Sequence, residues 1–172
     1  MEYYEKTLEE VNGYKGRILS LDVRTVELPN GKIAKREIIK HPGAVAILAY
    51  KTDDTIILVE QFRNPIEKTI LELPAGKLEP GEDAETCGRR ELEEETGYKA
   101  KKFTYLGKIA TTPGFCDEYI DIYKAEQLYD GNIGGDEDEF IKVCEVQVDK
   151  IKEMIKKGEI IDAKTISAFM MI

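Results

Sequence analysis

Residues 76–98 read GKLEPGEDAETCGRRELEEETGY, and this stretch decides the fold because it carries its own start signal, stop signal and charge pattern. The Pro80-Gly81 turn followed by Asp83, a good acceptor for the orphan amides of a first helical turn, predicts a helix start. Gly97, which takes the left-handed cap conformation without strain, predicts its end, so residues from about Asp83 to Thr96 should be helical. Glu91, Glu94 and Glu95 stand at i, i+3 and i+4, which places them on one helical face. Like charges at that spacing cost roughly 0.2–0.5 kcal/mol per pair in an isolated helix, so a cation is the natural occupant of the face. Hard divalent ions bind oxygen donors, and magnesium in particular combines a few carboxylates with substrate phosphates. The face therefore reads as a magnesium or manganese site.

The spacing is more specific than the charge. It runs Gly76, five residues, Glu82, seven residues, Arg90-Glu91, an apolar residue, any residue, Glu94-Glu95, any residue, Gly97, an apolar residue. This resembles the signature box of the Nudix hydrolases at every specified position. The resemblance implies an α+β fold, an α/β/α sandwich with a mixed central sheet, and a metal-dependent pyrophosphohydrolase. Within the box Arg90 would orient carboxylates by ion pairing rather than touch substrate. Cys87-Gly88 is a departure, since relatives often carry alanines there. Glycine in a helix costs roughly 0.5–1 kcal/mol relative to alanine, which points to a close backbone packing contact.

Length and composition agree with one compact enzyme. At 172 residues the chain can bury a full core. Its net charge of −9 argues against broad binding to nucleic acid or anionic membrane, and an anionic substrate then needs local help. The longest apolar run, Ala44 to Tyr50, is too short to span a bilayer, and MEYYEKTLEE lacks a signal-peptide layout, so a cytoplasmic location is expected. Cys87, Cys116 and Cys144 are widely separated and read as buried small hydrophobes in a reducing compartment. His41 is the lone histidine, which excludes a metal site of several imidazoles and leaves general-base chemistry to a carboxylate.

Along the chain, Gly16–Glu27 and Lys32–Lys40 flank the turn signal Pro29-Asn30-Gly31, so an antiparallel hairpin should open the fold. Strands are expected at Ala44–Tyr50, Thr55–Gln61, Thr69–Leu73, Lys102–Ala110, Glu118–Ala125 and Phe140–Val148. Helices are expected at Asp149–Lys157 and Ala163–Met170. This divides the chain into an N-terminal hairpin region, residues 1–42, expected at a dimer interface, and a Nudix domain, residues 43–172.

Two further segments carry chemistry. Asp130 to Glu139 is a glycine-rich loop that ends in four acids. In Nudix enzymes acting on ADP-ribose, an acidic loop at this place supplies the base and a metal ligand. That resemblance implies Glu137 as base and Glu139 as ligand; their order can be exchanged, and Asp136 and Asp138 remain alternatives. The other segment is Thr111–Glu118, read from the residues as a turn around Pro113-Gly114. A proline about this far beyond the box marks the ADP-ribose pyrophosphatase subfamily, which implies that Gly114 and Phe115 approach the terminal ribose.

By the same resemblance Arg63 grips a phosphate, a task that suits the guanidinium fork, and Arg36 reaches substrate from a partner subunit of a homodimer. Divalent ions, Mg²⁺ with Mn²⁺ as alternative, would be held by Glu91, Glu95, Glu139 and the carbonyl of Ala75. Glu94 would serve as ligand or supporting base. The expected reaction is hydrolysis of ADP-ribose to AMP and ribose 5-phosphate. Another nucleoside diphosphate sugar, such as GDP-mannose, and a non-catalytic ADP-ribose sensor are the alternatives.

Overall fold

The computed structural model describes residues 3–131 and 140–172. The chain divides into two compact units, Met1–Gly43 with Ala110–Tyr119, and Ala44–Ile109 with Ile120–Ile172.

The first unit is a three-stranded antiparallel sheet of β1 (Lys6–Lys15), β2 (Ser20–Glu27) and β3 (Ile33–Lys40), in that order. The expected hairpin is β2–β3, closed where Gly31 takes a φ of 79° and Asn30 Oδ1 accepts from the Lys32 amide at 3.1 Å. β1 adds a strand that the sequence reading lacked. Its sequence KTLEEVNGYK is exposed at every residue, so no buried face imprinted a period-two pattern on it. On β3, Ile39 donates to the Phe115 carbonyl at 2.8 Å and accepts from the Asp117 amide at 3.0 Å. The Thr111–Glu118 segment is thereby stitched to β3 as a structured loop.

The second unit holds a seven-stranded mixed sheet. Its path runs β10 (Ile141–Gln147), β5 (Thr55–Arg63), β4 (Ala44–Tyr50), β9 (Tyr119–Asp130), β8 (Tyr98–Ala110). β6 (Lys68–Glu72) pairs with β5, and the short β7 (Ala75–Lys77) pairs with β4. β4 lies parallel to β9 and antiparallel to β5 and β7, which makes the sheet mixed. The strand β4 explains the layering. Ala44, Ala46 and Leu48 join one core cluster with Ile151 of α2 (Val148–Lys157) and Ala168 and Phe169 of α3 (Ala163–Phe169). Val45, Ile47 and Ala49 point the other way, into a cluster with Cys87 and Leu92 of α1 (Ala84–Thr96). Helices cover both faces, and this is the expected α/β/α sandwich. A strand buried on both faces reads as a continuous apolar run, as this one does.

The helix α1 begins and ends where its signals lie. Asp83 accepts from the amides of Glu85 and Thr86 at 3.1 and 3.0 Å. Gly97 closes the other end with a φ of 74°, its amide donating to the Glu93 carbonyl at 2.8 Å. Gly88 accounts for the departure from the family pattern. A Cβ there would lie 2.9 Å from the side chains of both Phe103 and Val45, so the glycine lets α1 seat closely on β4 and β8. The neighbouring Cys87 is fully buried, and burial pushes its thiol up to about 12.

Candidate active site

The helix α1 carries Glu91, Glu94 and Glu95, the acidic residues singled out from the sequence, and the strand segment β7 lies against it with Ala75. β7 is fixed to β4 by the pairs Val45↔Gly76 and Ala46↔Ala75, and the Pro74 carbonyl accepts from the Ile47 amide at 2.9 Å. Onto this edge the helix lays two carboxylates. Glu95 Oε2 accepts from the Ala75 amide at 2.9 Å. The Glu91 carboxylate occupies the space above Gly76 that any Cβ would fill. Glycine at position 76 is thus required by the close approach of Glu91.

Arg90 ties the remaining acids together. Its Nε and Nη2 donate to the two oxygens of Glu82 at 3.0 Å each, a bidentate pair. Nη1 donates to Glu91 Oε1 at 2.9 Å and Glu94 Oε2 at 2.8 Å. The hydrogen bond to Glu82, opposed by desolvation and reinforced by Glu91 and Glu94, holds the guanidinium pKa well above its ordinary value. The same bond depresses the Glu82 carboxyl below its ordinary 4.5. One cation therefore offsets the repulsion among three glutamates and fixes where they point.

Arg63 closes β5 and is half-buried. Its Nε donates to Glu72 Oε1 at 2.8 Å. Burial opposes its charge, but the Glu72 hydrogen bond and the fields of Glu72, Glu95 and Asp162 outweigh that and raise its pKa. The field of Glu95 links Arg63 electrostatically to the acidic face of α1. Glu72 itself is 1% exposed and also ion-pairs with the buried Lys164, which reaches Asp162 at 3.1 Å. This buried quartet escaped the sequence reading. The signal was present: Glu72 is a lone acid in the apolar run Ile70-Leu71-Glu72-Leu73, and a buried charge demands partners.

The other residues that the resemblance assigns to substrate fall in the first unit. Arg36, Gly114 and Phe115 line one cavity of about 410 Å³, together with Lys40, Pro113 and Tyr119. That volume suits a small-molecule ligand. Arg36 donates to both oxygens of Glu5, at 2.9 and 2.7 Å, while Lys40 pairs with Asp117. The hydrogen bond and field of Glu5 raise the Arg36 pKa. His41 is structural in setting: its Nδ1 accepts from the Gly43 amide at 3.2 Å, with Glu118 Oε1 at 3.3 Å.

Glu137 and Glu139, with their rivals Asp136 and Asp138, lie outside the described residues. The flanks of their segment are placed. Gly131 donates to the Gly97 carbonyl at 2.8 Å, at the end of α1, and Ile141 pairs with Gln61, two residues before Arg63. Among the described residues no three His, Cys, Asp or Glu side chains converge as a metal site. The donors themselves fit a hard divalent ion: Glu91 and Glu95 are carboxylates held against Ala75 and Gly76, a set of oxygen ligands without imidazole or thiolate.

A model of the NUDIX domain matches residues 40–169, the stretch that holds the mixed sheet, the Arg-tied acidic helix and the glycine strand beneath it. The chain belongs to the Nudix family and is a Nudix hydrolase. It is 50% identical over 163 residues to the ADP-ribose pyrophosphatase of Bacillus subtilis (strain 168), covering 94% of this chain and 88% of that protein. A protein of Bacillus methanolicus named methanol dehydrogenase activator is 47% identical over 168 residues, covering 96% of this chain and 91% of that one. A crystal structure of an ADP compounds hydrolase superposes with a TM-score of 0.86 over 97% of this chain and 91% of its own, at 24% identity, which shows the shared fold. No helix among the described residues is long and apolar enough to cross a membrane.

Proposed function

We propose that this Nudix hydrolase splits ADP-ribose into AMP and ribose 5-phosphate. The observation that carries this is the 50% identity to an ADP-ribose pyrophosphatase across 94% of the chain. The cavity lined by Gly114 and Phe115 supports it, because the two residues that the resemblance assigns to the terminal ribose open onto one space of a size that suits a small molecule. Water adds to one phosphorus of the pyrophosphate, the bond from that phosphorus to the bridging oxygen breaks, and each product leaves with a phosphate.

Glu91, Glu95, Glu139 and the Ala75 carbonyl would hold magnesium, with manganese as the alternative. A divalent ion there supplies charge neutralisation and polarises the phosphoryl oxygens. Arg90 keeps Glu91 and Glu94 aimed. Glu137 takes the proton of the attacking water, and Glu94 serves as ligand or supporting base. Arg63 adds a bidentate grip on phosphate, which helps an anion approach a protein of net charge −9. The protein works in the cytoplasm as a homodimer in which Arg36 serves the partner's substrate. The exposed apolar side chains Leu8, Val11 and Tyr14 of β1 support such an interface.

AMP release from ADP-ribose and from GDP-mannose with magnesium, beside Glu95→Gln, tests the reading. ADP-ribose should be the better substrate, and Glu95→Gln should cost about 10³-fold in kcat, the scale of a lost electrostatic clamp. Preference for GDP-mannose would replace the substrate, and full activity of Glu95→Gln would remove the ion site from α1. A second reading, activation of a methanol dehydrogenase, is favoured by the 47% identical relative of that name. It is tested by adding the protein to a methanol dehydrogenase assay.

A further inference from the structure

The first turn of α3 grips the strand that leads into the acidic site. Lys164 pairs with the Glu72 carboxylate, and Thr165 Oγ1 accepts from the Leu73 amide at 2.9 Å. Asp162 caps this turn, accepting from the Thr165 amide at 2.9 Å and its hydroxyl at 2.6 Å, and reaches Lys164 at 3.1 Å. The next two residues are fixed as well, Pro74 through the Ile47 amide and Ala75 through Glu95. Every residue from 72 to 75 is thus held by a named bond.

Charge order matters here. Arg63, Glu72, Lys164 and Asp162 alternate in sign and sum to zero, so the buried carboxylate of Glu72 is shared between two cations. Glu72 occupies the Nε edge of Arg63. Among the described residues the two Nη nitrogens make no hydrogen bond, and 40% of the Arg63 side chain stays exposed. Lys164 takes Oε2 of the same carboxylate, so each cation holds one oxygen of Glu72. A flexible arginine becomes a fork with one edge anchored and the other presented.

We infer that Glu72 and Lys164 are positioning residues that preset Arg63 for the phosphates of the substrate, so the first turn of α3 sets substrate affinity without touching substrate. This rests on the pyrophosphatase reading above. A preset fork loses less freedom on binding, so its loss weakens ground and transition states alike and raises KM more than it lowers kcat.

Steady-state kinetics on ADP-ribose with Glu72→Gln, Glu72→Asp, Lys164→Met and Lys164→Arg tests it, alone and combined with Arg63→Ala. Glu72→Gln and Lys164→Met should raise KM at least fivefold with kcat within about threefold, and Lys164→Arg should restore most of the affinity. In the Arg63→Ala background neither should raise KM further, because the group they position is gone. Glu72→Asp keeps the charge but withdraws the carboxylate from Nε, so it reports the same KM rise should Glu72→Gln fail to fold. Unchanged KM with activity falling only in step with the folded fraction overturns the inference, as does an additive KM effect in Arg63→Ala. If the parent protein hydrolyses neither ADP-ribose nor GDP-mannose, the pyrophosphatase reading fails separately. Calorimetric binding of ADP to the same variants then decides the positioning role by the same pattern.

Discussion

The acidic helix of the second unit and the cavity of the first hold their charges in different ways. On α1 one buried-side arginine ties Glu82, Glu91 and Glu94 together, and the strand beneath supplies an amide to Glu95 and a glycine gap to Glu91. In the cavity the cations pair separately through partly exposed side chains, Arg24 with Glu10, Arg36 with Glu5 and Lys40 with Asp117. Networks on rigid elements fix geometry, while isolated exposed pairs contribute little stability and exchange partners cheaply. The contrast teaches that α1 and β7 hold their carboxylates in one network, whereas the cations of the cavity sit in separate, partly exposed pairs that can change partner; under the proposed function the first would carry the reaction and the second recognition.

Four substitutions would break or sharpen that contrast. Gly76→Ala should have the largest effect, because its Cβ would displace the Glu91 carboxylate; kcat should fall about 10²-fold with little change in Tm, since the clash is with a flexible side-chain end. Retained activity would show that the position of Glu91 is not needed. Arg36→Ala should act on the other side, raising KM for ADP-ribose about tenfold with kcat nearly unchanged, as loss of one charged hydrogen-bonding group does. An equal fall in kcat would place Arg36 in the chemistry.

Gly88→Ala should leave activity per folded molecule intact and lower stability by about 1–3 kcal/mol in urea unfolding, the cost of overpacking against Phe103 and Val45. No loss would mean that the α1 seat is looser than its contacts suggest. The smallest effect concerns acid. The Glu82 carboxyl is depressed in the folded state by Arg90, so its contribution is present above its ordinary 4.5 and lost as pH falls through the folded value. The Tm difference between the parent and Glu82→Gln should accordingly be widest at neutral pH and close below 4.5, and a difference that persists in acid would detach Glu82 from Arg90.

What the sequence made legible was local or contiguous. Asp83 and Gly97 cap α1 from within it, and β4 is a run of apolar residues that only a doubly covered strand tolerates. β1 was hidden because it buries nothing and exists through its ladder to β2. β7, three residues long, is too short to show a period and is a strand only by pairing with β4. Within the site, Glu91, Arg90 and Glu95 share one helix, so spacing alone aligns them. The Glu72–Lys164 pair joins β6 to α3, and no local pattern can connect groups that far apart in the chain. Burial of the acid was the only trace it left.

The two-faced strand β4 also has a consequence for how the protein is made. Its parallel partner β9 pairs Ala44 with Ile120, and β10, which completes β5, pairs Ile141 with Gln61. Such non-local pairing makes folding slow, because loop closure must precede the contacts that reward it. A nascent chain that has just released the acidic helix can set β5, β7 and α1 against its most apolar strand but still lacks β9, α2 and α3. Until residues 120–147 emerge, Ala44–Tyr50 is the segment a chaperone would be expected to hold.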